Sequence, residues 1–227
     1  VLEHGISHAQ RVMQFALYIG NSMNLSSHDL QLLLDTTKFH DSGLNSNVER
    51  FGREKHGELA SNKASNMLSQ KYSQEDIKVI MASIDYHAYT DSEFNFTKML
   101  NKYNITDKTS IDKFKLISTI LKDADALDRT RFANNLDPRY LRTNSALSLV
   151  KTSYQIQEQL ATNQINYKIQ NNLYTDGQLT YINTLRQYSV PDALISYMLK
   201  FKGLLHPNAI NNVNNKIGEI MYANNKN

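Results

Sequence analysis

The residues with the clearest chemical potential are a histidine and an aspartate at the end of a predicted helix. His40 and Asp41 follow an apolar helix expected from Leu30 to Phe39, and they precede Ser42-Gly43, which is a helix-stop signal. Adjacent helical side chains point about 100° apart, but at a helix end two of them can converge on one ion. Neutral imidazole and carboxylate are common ligands of divalent metals. The pair therefore predicts a metal site if other parts of the chain supply further ligands.

A second His-Asp pair, His28-Asp29, is expected to be structural. It lies in the polar first turn of the same helix, directly after Ser27, which we expect to cap the helix N-terminus. A carboxylate in a first turn interacts favourably with the helix dipole, so Asp29 needs no metal to explain it. Position on the helix thus separates the two pairs.

Further candidate ligands lie on or beside the apolar faces of other predicted helices. His8 lies on the apolar face of a first helix, His87 ends an apolar stripe, and Asp125 lies in line with apolar residues. Taken singly, such a histidine is usually a core residue bonded to a carbonyl, and His56, beside a polar loop, could be a solvated surface residue. Buried polar groups need partners, however, and one metal centre would satisfy them together. The candidate ligands are His8, His40, Asp41, His56, His87 and Asp125.

Composition narrows the class of protein. The 227 residues contain 25 Lys and Arg against 22 Asp and Glu, and this net charge of +3 is too small and too dispersed to indicate nucleic-acid binding. The chain contains no cysteine, which excludes disulfides and thiolate metal sites. It contains no run of about 18 apolar residues, so we expect no membrane span, and we expect a cytoplasmic protein. The oligomeric state is left open.

Helical periodicity and only 8 Gly and 3 Pro predict an all-α fold. We expect helices from about Ile6 to Met23, from Leu30 to Phe39, from His56 to about Gln70, after Ser73, and through Asp125. Residues 88–109 are expected to form a loop or small insertion. One apolar stripe (Leu147, Val150, Tyr154 and Ala161), one helix after Pro191 and one from Ile210 to Ile220 follow. We expect a metal-binding core over residues 1–135 and a helical extension over 136–227, together forming one continuous domain.

Five segments, in this order, resemble the HD-domain superfamily of metal-dependent phosphohydrolases. The signature of that superfamily is His-Asp-x-Gly after an apolar run, and the resemblance extends from His8 to Arg129. The matching segments are His8-Ala-Gln-Arg11-Val12, Phe39-His40-Asp41-Ser42-Gly43, His56-Gly-Glu-Leu-Ala, Ile84-Asp-Tyr-His87 and Leu121-Lys-Asp-Ala-Asp125-Ala-Leu-Asp-Arg129.

The resemblance implies a core of about five helices around a dinuclear metal centre. His8, His40, Asp41 and Asp125 would hold one ion, and His56 and His87 the other, with Asp41 between them. The expected cofactors are two divalent ions, manganese or iron in preference to magnesium, zinc, nickel or cobalt. The expected reaction is hydrolysis of a small nucleotide-like phosphate ester by a water that bridges the metals.

Roles for other residues follow from this expectation. Asp41 is expected to act in catalysis, with His4 as a second-sphere or proton-donating group. Arg129 is expected to contact substrate phosphate, unless it forms an ion pair with Asp128 or Asp123. Further expected substrate contacts are Lys122, Arg53 and Lys55. For Arg11 a structural ion pair is preferred.

Departures from known subfamilies narrow the substrate by exclusion. Leu44 stands where a lysine often completes the signature, which removes one phosphate contact. The motifs of cyclic di-GMP, alarmone and deoxynucleotide triphosphate hydrolases are absent. Two alternatives remain open. One is a mixed-valence di-iron oxygenase, since the metal ligands of that group resemble the same set of residues. The other is a non-catalytic helical module that binds a ligand or protein.

Overall fold

A computed structural model of the chain describes residues 5–44, 54–132, 136–201, 214–220 and 223. These residues form α-helices and short 3-10 helices and contain no strand, so the predicted all-α class is confirmed. The helices with defined bounds are α1 (Ile6–Ser22), α2 (Ser27–Phe39), α3 (Glu54–Leu68), α4 (Gln74–Tyr86), α5 (Glu93–Lys102), α6 (Lys108–Asp128), α7 (Asn144–Ser148), α8 (Val150–Gln170), α9 (Asp176–Gln187) and α10 (Asp192–Phe201). Short 3-10 helices span Arg129–Phe132 and Pro138–Tyr140. None of the described helices is both long and apolar enough to cross a membrane.

The chain divides into two compact units. The first contains Val1–Asp128 and Asp137–Leu149, and the second contains Arg129–Leu136 and Val150–Asn227. The expected boundary lay between residues 135 and 136. In the structure the chain enters the second unit at Arg129, and Asp137–Leu149 belong again to the first unit.

In the first unit, α4 and α6 occupy the centre. Helix α4 contacts α2, α3, α5 and α6, while α1 packs against α2 and α6. The inward faces of α4 and α6 carry large apolar side chains that are removed from water, among them Ile80, Ile84, Phe114 and Leu121. Burial of each such side chain stabilises the fold by about 1.5–3 kcal/mol before entropy is counted.

Two local predictions for the first unit are wrong. The N-cap of α2 is Ser26 and not Ser27, since the Ser26 side chain accepts a hydrogen bond from the backbone N–H of Asp29. For residues 88–109 the loop alternative is wrong, because these residues contain α5. Ser92 caps this helix, Met99 is buried, and the Phe96 ring stacks on Phe114 at 4.9 Å between centroids. Two inward side chains are too few to produce a clear periodic signal.

The second unit has its own core, formed by α8, α9 and α10. Its buried members include Ile165, Ile182, Leu185 and Ile195. The apolar stripe predicted from Leu147 to Ala161 belongs to two helices, because α7 ends at Ser148 and α8 begins at Val150. Residues 214–220 are helical, as predicted for the last helix, whereas Ile210 and Val213 lie outside the described residues.

Candidate metal centre

One group of potential ligands comes from three different helix regions. His8 lies in the first turns of α1, His40 is the C-cap of α2, and Asp125 lies near the end of α6. The His8 Nε2 atom is 3.1 Å from His40 Nε2 and 3.4 Å from Asp125 Oδ1. These three residues, which we call the first half of the centre, offer ligand atoms within 4.8 Å of one another and could hold a metal ion.

A second group lies on the other side of Asp41. His56 lies in the first turn of α3 and His87 is the C-cap of α4, and their Nε2 atoms are 3.1 Å apart. His40, Asp41 and His87 also form a group with ligand atoms within 4.8 Å. We call His56 and His87 the second half of the centre.

Asp41 lies between the two halves and turns one carboxylate oxygen toward each. Its Oδ2 atom is 3.2 Å from His8 Nε2 and 3.6 Å from His40 Nε2. Its Oδ1 atom is 3.5 Å from His56 Nε2 and 3.4 Å from His87 Nε2. A carboxylate in this position can contact two cations at once, one through each oxygen.

Hydrogen bonds at the far side of the rings determine which nitrogen faces the centre. The His40 Nδ1 atom is 2.7 Å from the Thr37 carbonyl, His87 Nδ1 contacts the Ile84 carbonyl, and His8 Nδ1 is 2.7 Å from Asp128 Oδ2. Since a carbonyl or carboxylate only accepts, each Nδ1 must carry the hydrogen. Each Nε2 atom then directs a lone pair at the centre.

With these tautomers, the centre is lined by lone pairs and suits a cation. The Nε2 atoms of neutral His8 and His40 face each other at 3.1 Å with no hydrogen between them, so a positive species is needed to relieve the repulsion. Burial lowers the pKa of His40, but the adjacent Asp41 and Asp125 carboxylates outweigh burial and raise that pKa to about 9. In the same way, the nearby histidines hold the pKa of Asp125 well below its ordinary value despite burial. A raised pKa means that His40 binds a second proton readily, and this proton is one positive species that can lie among these groups. The donor set therefore fits a divalent metal, which would take the place of the proton.

Asp128 provides an outer contact that the sequence reasoning missed. Its carboxylate is fully buried, accepts from His8 Nδ1, and is bound in a bidentate manner by Arg11 at 2.6 and 3.0 Å. The ion pair preferred for Arg11 is therefore formed. A carboxylate behind a metal-binding histidine fixes the ring and increases its basicity. The spacing of three residues from Asp125, which places both carboxylates on one helix face, was a usable signal.

Glycines allow α3 to approach closely enough to bring His56 to Asp41. A Cβ on Gly43 would overlap the backbone carbonyl of His56 and lie 2.7 Å from the backbone nitrogen of Ala60. A Cβ on Gly57 would lie 2.8 Å from the backbone oxygen of Asp85 in α4. The glycine in His40-Asp41-Ser42-Gly43 thus has a direct steric role in assembling the second half.

The centre is accessible to solvent mainly at one ligand. The side chains of His8 and His40 are fully buried, that of Asp41 is 10% exposed, and that of Asp125 is 33% exposed. A molecule from solution would therefore reach the centre from the Asp125 side.

The other residues predicted to act at the site lie in different settings. Lys122 is buried and its ammonium group binds Asp91. Arg129 is exposed at the start of a 3-10 helix, and Lys55 is exposed in the first turn of α3. His4 and Arg53 lie outside the described residues.

Asp123 and His28 also have partners of their own. Asp123 accepts from Arg142 and Thr143. His28, from the pair interpreted as structural, lies 3.0 Å from Asp76 at the opposite end of α2 from His40.

Comparisons with known proteins gave no assignment. No family model matches the chain, no curated protein matches it, and no solved structure matches it.

Proposed function

We propose that this chain is a metal-dependent phosphohydrolase or phosphodiesterase that cleaves a nucleotide-like phosphate ester. One observation carries the proposal: the two oxygens of Asp41 face two separate groups of imidazole nitrogens. The resemblance of five ordered segments to the HD-domain superfamily supports the same reaction class.

Two bound divalent ions would supply a water of lowered pKa and would neutralise charge on a phosphate. The residues of this chain would hold and orient that system. Asp41 would contact both ions, the first half would hold one of them, and the second half would hold the other. Asp128 would keep His8 in the metal-binding tautomer.

The exposed edge of Asp125 is the proposed entrance for substrate. Phosphate would need further positive charge beyond the metals, and the exposed Arg129 and Lys55 remain the proposed candidates, with Arg53 and His4. Lys122 is the weakest candidate for this role, because its ammonium group already binds an acidic side chain and a backbone carbonyl.

The test combines elemental analysis of the purified protein with a phosphate-release screen. Nucleotides, dinucleotides and model phosphodiesters would be tested with manganese and with ferrous iron. We expect two metal ions per chain and metal-dependent release of phosphate or a phosphomonoester. Protein that retains no metal under gentle purification and gains no activity on metal addition would contradict the proposal.

A di-iron oxygenase is the second candidate, because four histidines and two carboxylates also suit iron. Oxygen consumption after ferrous loading, without phosphate release from any substrate, would identify this alternative.

A further inference from the structure

Lys122 joins the chain segment that follows His87 to the helix that carries Asp125. Its side chain is only 6% exposed, and its Nζ atom donates to the Tyr89 carbonyl at 2.9 Å and to Asp91 Oδ1 at 2.6 Å. The same ammonium lies 3.6 Å from the centroid of the Tyr86 ring. All three partners therefore lie within residues 86–91, on either side of His87.

Asp91 is held from a second direction as well. Its Oδ2 atom accepts from Arg142 Nε at 2.8 Å and Nη2 at 2.6 Å. Arg142 in turn is bound through its backbone and side chain to the buried carboxylate of Asp123, which belongs to α6. Two connections from α6, one direct and one through Arg142, thus converge on Asp91.

The position of His87 depends on the end of α4. Helix α4 ends at Tyr86, His87 is its C-cap, and the ring of His87 is oriented by the carbonyl of Ile84 in the last turn. The last turn of a helix lacks part of its hydrogen bonding and frays unless other contacts hold it. The contacts of Lys122 and Asp91 are such contacts, and they involve residues on both sides of the ligand.

We propose that Lys122 and Asp91 are positioning residues for the second half of the metal centre: they hold the end of α4 against α6 so that His87 faces Asp41. This inference rests on the proposed metal-dependent function. It gives Lys122 a role different from substrate binding.

The first half does not depend on this connection in the same way. Its ligands belong to α1, the end of α2 and α6, and His8 and His40 are oriented by Asp128 and by the Thr37 carbonyl. Loss of the Lys122–Asp91 contact should therefore weaken one metal site and spare the other.

The test uses the full chain with the variants Asp91→Asn and Lys122→Met. Burial lowers the pKa of the Lys122 ammonium while Asp91 opposes that shift, so Asp91→Asn removes the group that favours the charged form. The matched control is Lys113→Met, because Lys113 lies on the same helix and pairs with Asp76 at 2.8 Å and Asp29 at 3.4 Å. Manganese binding is measured by calorimetric titration, and urea unfolding measures the stability of each variant.

We expect Asp91→Asn and Lys122→Met to weaken the second equivalent of manganese at least about tenfold and to leave the first unchanged. Lys113→Met should lower stability but leave both equivalents unchanged. If all variants bound both equivalents of manganese as tightly as the wild type, the positioning role alone would be overturned. The same conclusion would follow if Lys113→Met weakened the second equivalent as much as Asp91→Asn and Lys122→Met do. Wild-type protein that binds no manganese would overturn the proposed function and this inference with it.

Discussion

The two halves of the metal centre both contain two histidines but differ in charge and support. The first half, with Asp41, places two imidazoles and two carboxylates around one position, whereas the second half, with Asp41, places two imidazoles and one carboxylate around the other. The imidazoles of the first half are fully buried and one of them is backed by Asp128. The second half depends on the close packing of α3 and on the end of α4.

The difference indicates that the two sites should not bind metal equally. An additional carboxylate favours a cation, and a fixed ring loses less freedom on binding. We therefore expect the first half to fill at lower metal concentration and the second half to be more sensitive to changes in packing. The following variants test this comparison, from the largest expected effect to the smallest.

Asp41→Asn should produce the largest effect, because it removes the one carboxylate that both halves share. We expect both equivalents of manganese to weaken by more than about 100-fold, beyond the range typical of outer contacts. Elemental analysis and calorimetric titration would measure the loss, and phosphate release should disappear in parallel.

The second His-Asp pair provides the control for this variant. Asp29→Asn makes the same chemical change at the other end of α2, where the Asp29 backbone is capped by Ser26 and its side chain accepts from the Ser26 hydroxyl. We expect unchanged metal binding in Asp29→Asn. Equal loss in the two variants would show that the centre is misplaced.

Gly43→Ala should affect the second half selectively. The added Cβ would overlap the backbone of α3 at His56, so α3 must move away, at a cost of about 1–3 kcal/mol of stability. The displacement should weaken the second equivalent of manganese more than the first, in the same calorimetric titration.

Gly177→Ala is the matched control for Gly43→Ala. Nothing lies within 4 Å of a Cβ at Gly177, the second residue of α9, so this change should not lower stability and should leave metal binding unchanged. If Gly43→Ala bound both equivalents like the wild type, close packing of α3 would not be what holds His56 in place.

The sequence predicted what depends on residue chemistry and helix position. Five of the six potential ligands were identifiable because His8, His87 and Asp125 interrupt apolar helix faces and His40-Asp41 follows an apolar helix, whereas His56 stands beside a polar loop and gave a weaker signal. The structure brings the nitrogen and oxygen atoms of these residues together. Their convergence could not be derived from any one segment, since the residues belong to different helices.

Features that depend on tertiary contacts were not predictable from local patterns. Helix α5 was missed because its stability comes from the Ser92 cap and from the Phe96 ring, which packs on Tyr86 of α4 and Phe114 of α6. The partner of Lys122 was missed because Asp91 is distant in sequence and lies in a segment expected to be a loop or small insertion. The N-cap of α2 was placed one residue late because Ser26 and Ser27 are chemically identical.

Asp128→Asn should have an intermediate effect, confined to the first half. Asparagine keeps the shape of the side chain but removes the charge that stabilises the His8 Nδ1–H group. We expect the first equivalent of manganese to weaken about 10–100-fold, with the second unchanged. Unfolding in urea must be measured alongside, because Arg11 also loses its partner.

Asp35→Asn is the control for Asp128→Asn and should have the smallest effect on the centre. Burial would raise the pKa of Asp35, but hydrogen bonds from Lys71 and Tyr72 outweigh burial and lower that pKa below 3.8. Because the folded pKa lies below the unfolded value, the contribution of Asp35 to stability is complete above pH 3.8. It disappears as the pH falls through the folded pKa.

Asp35→Asn should therefore cost on the order of 1–2 kcal/mol at pH 7, since Lys71 is nearly half exposed and the ion pair is partly screened. In urea unfolding at a series of pH values, the difference from the wild type should shrink below pH 3.8. Manganese binding at pH 7 should match the wild type. A weaker first equivalent in Asp35→Asn would mean that general loss of stability, and not the contact with His8, explains the effect of Asp128→Asn.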